Sequence, residues 1–215
     1  MKLPRLFSNV LFTLLLGLAS GNAYTKEWAF DVYLDKTKIG EHTFTLNEND
    51  TLISRAKFNV KLLFINAYQY DHQATENWDK NCLKSLASET LENKTKTIVK
   101  GQRQADNFEV RNGNEVQNLP ACTMTFAYWN QKILEQSKLL NPQNAEFLDT
   151  TIKQLGKVML EVKGKAIETL HYKLDASLQG KQKLNIELWY SADKQEWVGL
   201  KSITPEGYHI YYKLK

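Results

Sequence analysis

Alternation dominates this sequence and predicts a mainly β protein. The expected fold is a single antiparallel, strongly curved sheet forming an open or incomplete barrel, with one helix over about 123–140 packed at its mouth or edge. Three observations predict it. Apolar residues recur at every second position through most of the chain, the period of a half-buried strand. Turn-forming residues interrupt these runs at short, regular intervals, as in an antiparallel all-β domain. One segment, Cys122–Leu140, carries the helical period instead.

Trp28, Phe30, Val32 and Leu34 recur every second residue, with Asp31 between them. Asp35-Lys36-Thr37-Lys38 reads as a turn, and Gly40, His42, Phe44 and Leu46 resume the period. Asn47-Glu48-Asn49-Asp50 is the next turn signal, so the two runs form a hairpin. Leu52, Ser54, Ala56, Phe58, Val60, Leu62 and Phe64 then share one face, and Arg55, Lys57, Asn59 and Lys61 the other. That is a half-buried strand of about 13 residues. Tyr68, Tyr70, His72, Ala74 and Trp78 continue the pattern after Asn66. Short strands are expected over Leu83–Leu91, Thr95–Lys100 and Phe108–Arg111, with Asn112-Gly113 as a hairpin turn.

Phe126, Trp129, Ile133 and Leu134 stand at i, i+3, i+7 and i+8, a helical stripe. Asn141-Pro142 closes it, because the residue before a proline avoids the helical region. Strands resume over Leu148–Gln154, Val158–Val162, Ile167–Leu174, Leu184–Tyr190, Trp197–Ile203 and Tyr208–Leu214, with Gly156, Gly164 and Gly180 marking turns or strand ends. Long strands with one apolar face must bury that face, by curling the sheet or stacking two. A strand of about 13 residues spans on the order of 40 Å, which suits a coiled sheet better than a small sandwich. An outer-membrane barrel would alternate lipid-facing apolar residues with a polar lumen. The helical segment and the irregular, charged strands argue against it.

The ends and charges of the chain bear on location. Lys2 and Arg5 precede an apolar run from Val10 to Leu18, followed by the small residues Gly21-Asn22-Ala23. The run is too short to span a bilayer, which takes about 20 helical residues. Residues 1–23 therefore read as a cleavable signal peptide, with an N-terminal anchor as the alternative, and residues 24–215 as a single β-rich domain. Periplasmic localisation is expected, with no membrane span after cleavage. The formal charge is +4, and Lys2 and Arg5 account for half of it, so nucleic acid is excluded as a partner on electrostatic grounds. The two cysteines, Cys82 and Cys122, allow one pairing, and an oxidising compartment favours it. In the chain-entropy model such a loop contributes roughly 4 kcal/mol. Two buried free thiols are the alternative.

Three regions carry a resemblance. They are Phe30-Asp31-Val32-Tyr33-Leu34 with Ile39-Gly40, Phe126-Ala127-Tyr128-Trp129-Asn130 with Leu139-Leu140-Asn141-Pro142, and Glu187-Leu188-Trp189-Tyr190 with Trp197-Val198 and Tyr208-His209-Ile210-Tyr211-Tyr212. Together they resemble a family of uncharacterised secreted bacterial β-sheet proteins, a domain of unknown function. The resemblance spans nearly the whole mature chain. It implies a Gram-negative periplasmic setting and an antiparallel sheet, and it implies no reaction.

Motifs that carry chemistry are sparse. None of His42, His72, His171 and His209 has zinc-motif spacing, and the sequence holds no HExxH, no CxxC and no Gly-rich phosphate loop, so neither metal nor cofactor is expected. His42 and His72 alternate onto the apolar side, and His171 and His209 outward to solvent. His72 shares its face with Tyr68, Tyr70 and Glu76, which places an imidazole, two phenols and a carboxyl group on one wall. The plain alternative is a strand end whose polar groups are satisfied locally. Of Trp 5, Tyr 10 and Phe 9, only Phe7 and Phe12 fall in the leader, so the mature chain is rich in side chains with apolar bodies and, for Tyr and Trp, polar tips. They serve as core or as the wall of a ligand cleft. Two function classes follow. The first is a non-enzymatic periplasmic binding, carrier or envelope-accessory protein with an aromatic-lined cleft at Tyr68, Tyr70, His72 and Trp129. Its partner would be a lipid, a small apolar molecule or an envelope protein. The second is a periplasmic hydrolase or isomerase using His72 with Glu76 or a nearby tyrosine. The first needs no catalytic spacing, and the sequence shows none.

Overall fold

The structure is a computed structural model that describes residues 25–62, 65–204 and 206–215. The leader expected over residues 1–23 and the inward position expected for Phe64 lie outside the described residues. Eight strands come first: β1 (Lys26–Leu34), β2 (Thr37–Leu46), β3 (Thr51–Leu62), β4 (Ile65–Asp79), β5 (Cys82–Glu92), β6 (Thr95–Arg103), β7 (Asn107–Asn112) and β8 (Glu115–Pro120). A 3-10 turn (Gln131–Glu135) precedes β9 (Lys138–Leu140), β10 (Phe147–Val162), β11 (Lys165–Leu178), β12 (Lys181–Ser191), β13 (Trp197–Ile203) and β14 (His209–Leu214).

All 14 strands form one sheet, ordered from β8 back to β1 and then from β14 back to β9. Every strand except the pair β8 and β9 thus lies beside its neighbour in the chain, and the terminal strands β1 and β14 meet mid-sheet, Phe30 opposite Leu214. The sheet is antiparallel and not closed: its edges are β8 and β9, the two strands joined by the long connection. The hairpin turns follow backbone chemistry. Lys163 (φ 52) with Gly164 (φ 73), and Gln179 (φ 51) with Gly180 (φ 77), put both central residues at positive φ, the twist that matches antiparallel strands. Gly40 is required for another reason. A Cβ there would collide with the carbonyl oxygen of Lys57 on β3, so β2 approaches β3 closely only because the side chain is absent.

The alternation expected from the sequence sets the faces. On β3, Leu52, Ser54 and Ala56 are buried while Arg55, Lys57 and Asn59 are exposed. Two expectations need correction. Gly156 does not separate two strands, since β10 runs continuously and absorbs the glycine as a register shift opposite His171. Strand β8 had no counterpart in the sequence reading, because its residues are almost all exposed and show no apolar alternation.

The expected helix over 123–140 is also absent. Among the described residues of that stretch only Gln131–Glu135 turn helically, capped by the Asn130 side chain, which accepts from the Lys132 N–H. Thr123, Thr125, Phe126, Tyr128 and Trp129 have poor helix propensity. Their backbone groups bond elsewhere: Leu83 N–H donates to Thr123 O at 2.9 Å and Leu140 N–H to Met124 O at 2.8 Å. Thr125 bridges Leu140 in parallel. The connection is thus held across the open side of the sheet by β5 and β9, and no i→i+4 ladder competes. The Cys82–Cys122 disulfide fixes its start to β5.

This connection divides the interior. On its β5–β10 side the space is filled by Leu83, Leu86, Phe108, Met124, Ile133, Leu139, Leu140 and Leu148, each at most 2% exposed. On the side of β2–β4 and β12–β14 a cavity remains.

Candidate functional site

The cavity has a volume of about 700 Å³. Its wall is made by the inner faces of β2, β3, β4, β12, β13 and β14, and the segments Phe126–Trp129 and Asn141–Gln143 close it. Strand β4 runs its length. Tyr68, Tyr70, His72, Ala74 and Glu76 follow one another along the wall because every second side chain points inward. Glu92, Glu206 and Tyr208 on the lining are exposed to solvent and mark the mouth. At the other end Glu76 is 4% exposed.

The four residues expected from the sequence, Tyr68, Tyr70, His72 and Trp129, all line this cavity. Phe58 stacks on Tyr70 with centroids 5.1 Å apart, and Tyr70 is stacked with Tyr68 at 6.4 Å and with His72 at 6.1 Å. Burial raises the tyrosine hydroxyls at 68 and 70 well above the ordinary phenol range. His72 Nδ1 lies 2.8 Å from Thr90 Oγ1, and burial lowers its pKa to about 4, so the ring is neutral near pH 7.

Two groups go beyond the expected site, although Glu76 and Trp129 of the second are expected from the sequence. His42 was placed on the inner face but not in the site. Its Nε2 lies 2.7 Å from Ser54 Oγ and its Nδ1 3.2 Å from Tyr212 Oη, and the ring stacks on Phe44 at 4.0 Å. Burial and the neighbouring His72 hold its pKa well below the ordinary value. The second is a cluster of unpaired polar atoms at the closed end: Glu76 Oε2, Trp78 Nε1, Thr125 Oγ1 and Trp129 Nε1 are buried without hydrogen-bond partners. Burial pushes the Glu76 carboxyl up to about 7. Thr125 and Trp78 lie within reach of the carboxyl and pull it part of the way back. No sequence pattern brings Thr125 and Trp129 to Glu76 and Trp78, because the folded connection carries them to β4.

The catalytic alternative pairs two groups that the strand holds apart. His72 and Glu76 stand four residues apart on one strand face, about 13 Å along the backbone, too far for a proton relay without an intermediary. His42 and Ser54 have the spacing of a base and a hydroxyl nucleophile, with Tyr212 as a third group. Acyl transfer also needs free N–H donors for an oxyanion, and Ser54 sits on β3 between two paired strands whose ladders take those donors. Among the described residues, no three or more His, Cys, Asp or Glu side chains are grouped to hold a metal ion.

On the outer face, His171 is covered where solvent exposure was expected: it stacks on Trp189 at 4.6 Å and its Nε2 meets Glu187 Oε2 at 2.7 Å. Its side chain is 15% exposed. The neighbouring strand supplies the cover that alternation alone does not reveal. His209 stays near the surface, 3.7 Å from Asp35.

The sequence profile of a family described as Domain of unknown function (DUF6134) matches residues 30–215. The chain belongs to this family. The match covers the sheet from within β1 to the last residue of the sequence. Among solved structures, the chain is similar to a beta-barrel-like protein of Domain of Unknown Function DUF1849 from Brucella abortus, at 12% identity and a TM-score of 0.64. The likeness covers 88% of this chain and 94% of that one, and at this identity it shows the fold alone. No curated protein matches the sequence.

Proposed function

We propose that the protein is a non-enzymatic periplasmic binding or carrier protein, whose cavity takes up an apolar or amphipathic molecule, with Tyr68, Tyr70, His72 and Trp129 contacting it. The observation that carries this reading is the cavity of about 700 Å³ with a stacked aromatic wall and a mouth beside Glu92, Glu206 and Tyr208. Ligand sites fall at roughly 300–1,000 Å³ and combine apolar walls with a few placed polar groups. A core of this size built only for stability would be filled, since cavities in a core cost stability. The Cys82–Cys122 bridge accords with an oxidising compartment, as does a leader over residues 1–23.

Titration with an uncharged apolar fluorophore tests the reading. Saturable binding is expected, and Ala74→Phe should weaken it by about tenfold or more by filling the wall beside His72. Binding that does not saturate, or an Ala74→Phe variant that folds and binds equally well, would overturn it.

A further inference from the structure

The closed end of the cavity holds a set of polar atoms that the fold leaves unused. Glu76 and Trp129 line the cavity itself. Trp78 follows Glu76 by two residues on the same face of β4, and its ring meets that of Trp129 at 5.6 Å, nearly perpendicular. Thr125 faces the Glu76 carboxyl from the connection. One acceptor oxygen, two indole N–H groups and one hydroxyl thus lie on neighbouring residues at this end, all buried, and none makes a hydrogen bond of full geometry, although Thr125 and Trp78 lie toward the Glu76 carboxyl. Buried polar groups are nearly always satisfied, because an unpaired one costs about 1–3 kcal/mol of desolvation. Four together at the end of an apolar cavity point to a ligand group that pairs them.

We propose that Glu76, Trp78, Thr125 and Trp129 receive the uncharged hydroxyl head of a single-chain amphiphile, with its tail lying along β4 toward Tyr68 and the mouth. This rests on the binding reading above and adds the class and orientation of the ligand. The chemistry selects the head. A hydroxyl donates one hydrogen bond and accepts two, which matches an unpaired carboxyl oxygen beside N–H and O–H donors. An ammonium group only donates and leaves both indoles unpaired. A carboxylate meets no cation, since no Lys or Arg is among the described lining residues, and it would face the Glu76 carboxyl. The raised pKa of Glu76, about 7, accords with a neutral partner. The length also fits a chain: Tyr68 to Glu76 spans about 26 Å at roughly 3.3 Å per residue.

The test is displacement of an uncharged fluorophore by four probes of one chain length: dodecanol, dodecylamine, dodecanoate and dodecane. The full-length mature protein should bind dodecanol about tenfold more tightly than dodecane, the scale of one or two hydrogen bonds. Glu76→Leu and Trp129→Phe should each reduce that ratio, together to below about twofold. Trp129→Phe keeps an aromatic ring while removing the N–H, and the ratio to dodecane corrects for the smaller ring, so it decides the matter if Glu76→Leu does not fold. Equal binding of all four probes, tightest binding of dodecylamine or dodecanoate, or a dodecanol preference that survives both variants would overturn the head site while leaving the binding reading intact. Failure of every probe to bind would overturn the binding reading itself, and the head site with it.

Discussion

His72 and Glu76 lie on the same face of one strand, and burial shifts them so that each favours its neutral form. The native His72 pKa, about 4, lies below its ordinary 6.5. Its contribution to stability is complete above about pH 6.5 and is lost as pH falls through 4. The native Glu76 pKa, about 7, lies above its ordinary 4.5, so its contribution is complete below about pH 4.5 and is lost as pH rises through 7. Each shift corresponds to roughly 3 kcal/mol. Glu76→Gln should therefore flatten the decline in stability between about pH 5 and pH 8, and His72→Gln should flatten the loss on the acid side, both read from denaturant midpoints at a series of pH values. An unchanged pH slope in Glu76→Gln would mean that the carboxyl is solvated. At this scale the sequence was partly legible. Period-two spacing put Tyr68, Tyr70 and His72 on one wall, because a strand fixes side-chain direction locally. The sequence placed Trp78 on the inner face of β4 and Trp129 in the cleft but gave no sign of Thr125, or that the indole N–H groups lack partners, because that depends on contacts between distant segments.

Among the elements, the strands were readable and the connection was not. Strand β3 shows why: charge on Arg55 and Lys57 against burial of Ser54 and Ala56 makes a one-residue slip costly. Phe58→Ala should cost about 2 kcal/mol, less than a fully buried phenylalanine because Phe58 is half-buried, and Asn59→Ala should cost little. Equal losses in thermal or denaturant unfolding would place β3 in the wrong register. Gly40→Ala should cost more than a routine helix or strand substitution, because the new methyl group meets the β3 backbone at Lys57, which has no flexible end to move aside. In the connection, the stripe Phe126, Trp129, Ile133 and Leu134 does turn inward, but as an irregular chain bound to β5 and β9. The apolar spacing recorded which side faces the core, and Thr123, Thr125 and the disulfide decided the backbone. Alkylation of the unreduced protein should label neither Cys82 nor Cys122, and reduction should lower stability by roughly 4 kcal/mol. Two labels per chain would contradict the bridge.

At the scale of the molecule, a meander of 14 strands left open between β8 and β9 would have a continuous interior. The connection between those two edges fills one half and leaves the other as a cavity. A curved antiparallel sheet was legible from alternation and turn spacing, since both are local. The division of its interior was not, because it depends on Leu83 of β5 and Leu140 of β9 bonding to Thr123 and Met124. The binding reading depends on that division, and its most direct test is native mass spectrometry of protein isolated from its native cells without denaturation. A discrete non-covalent adduct is expected, extractable into organic solvent and carrying a long apolar chain, with reduced occupancy in Ala74→Phe. Protein that emerges at its bare mass, and stays so after incubation with an envelope lipid extract, would contradict a ligand-binding cavity.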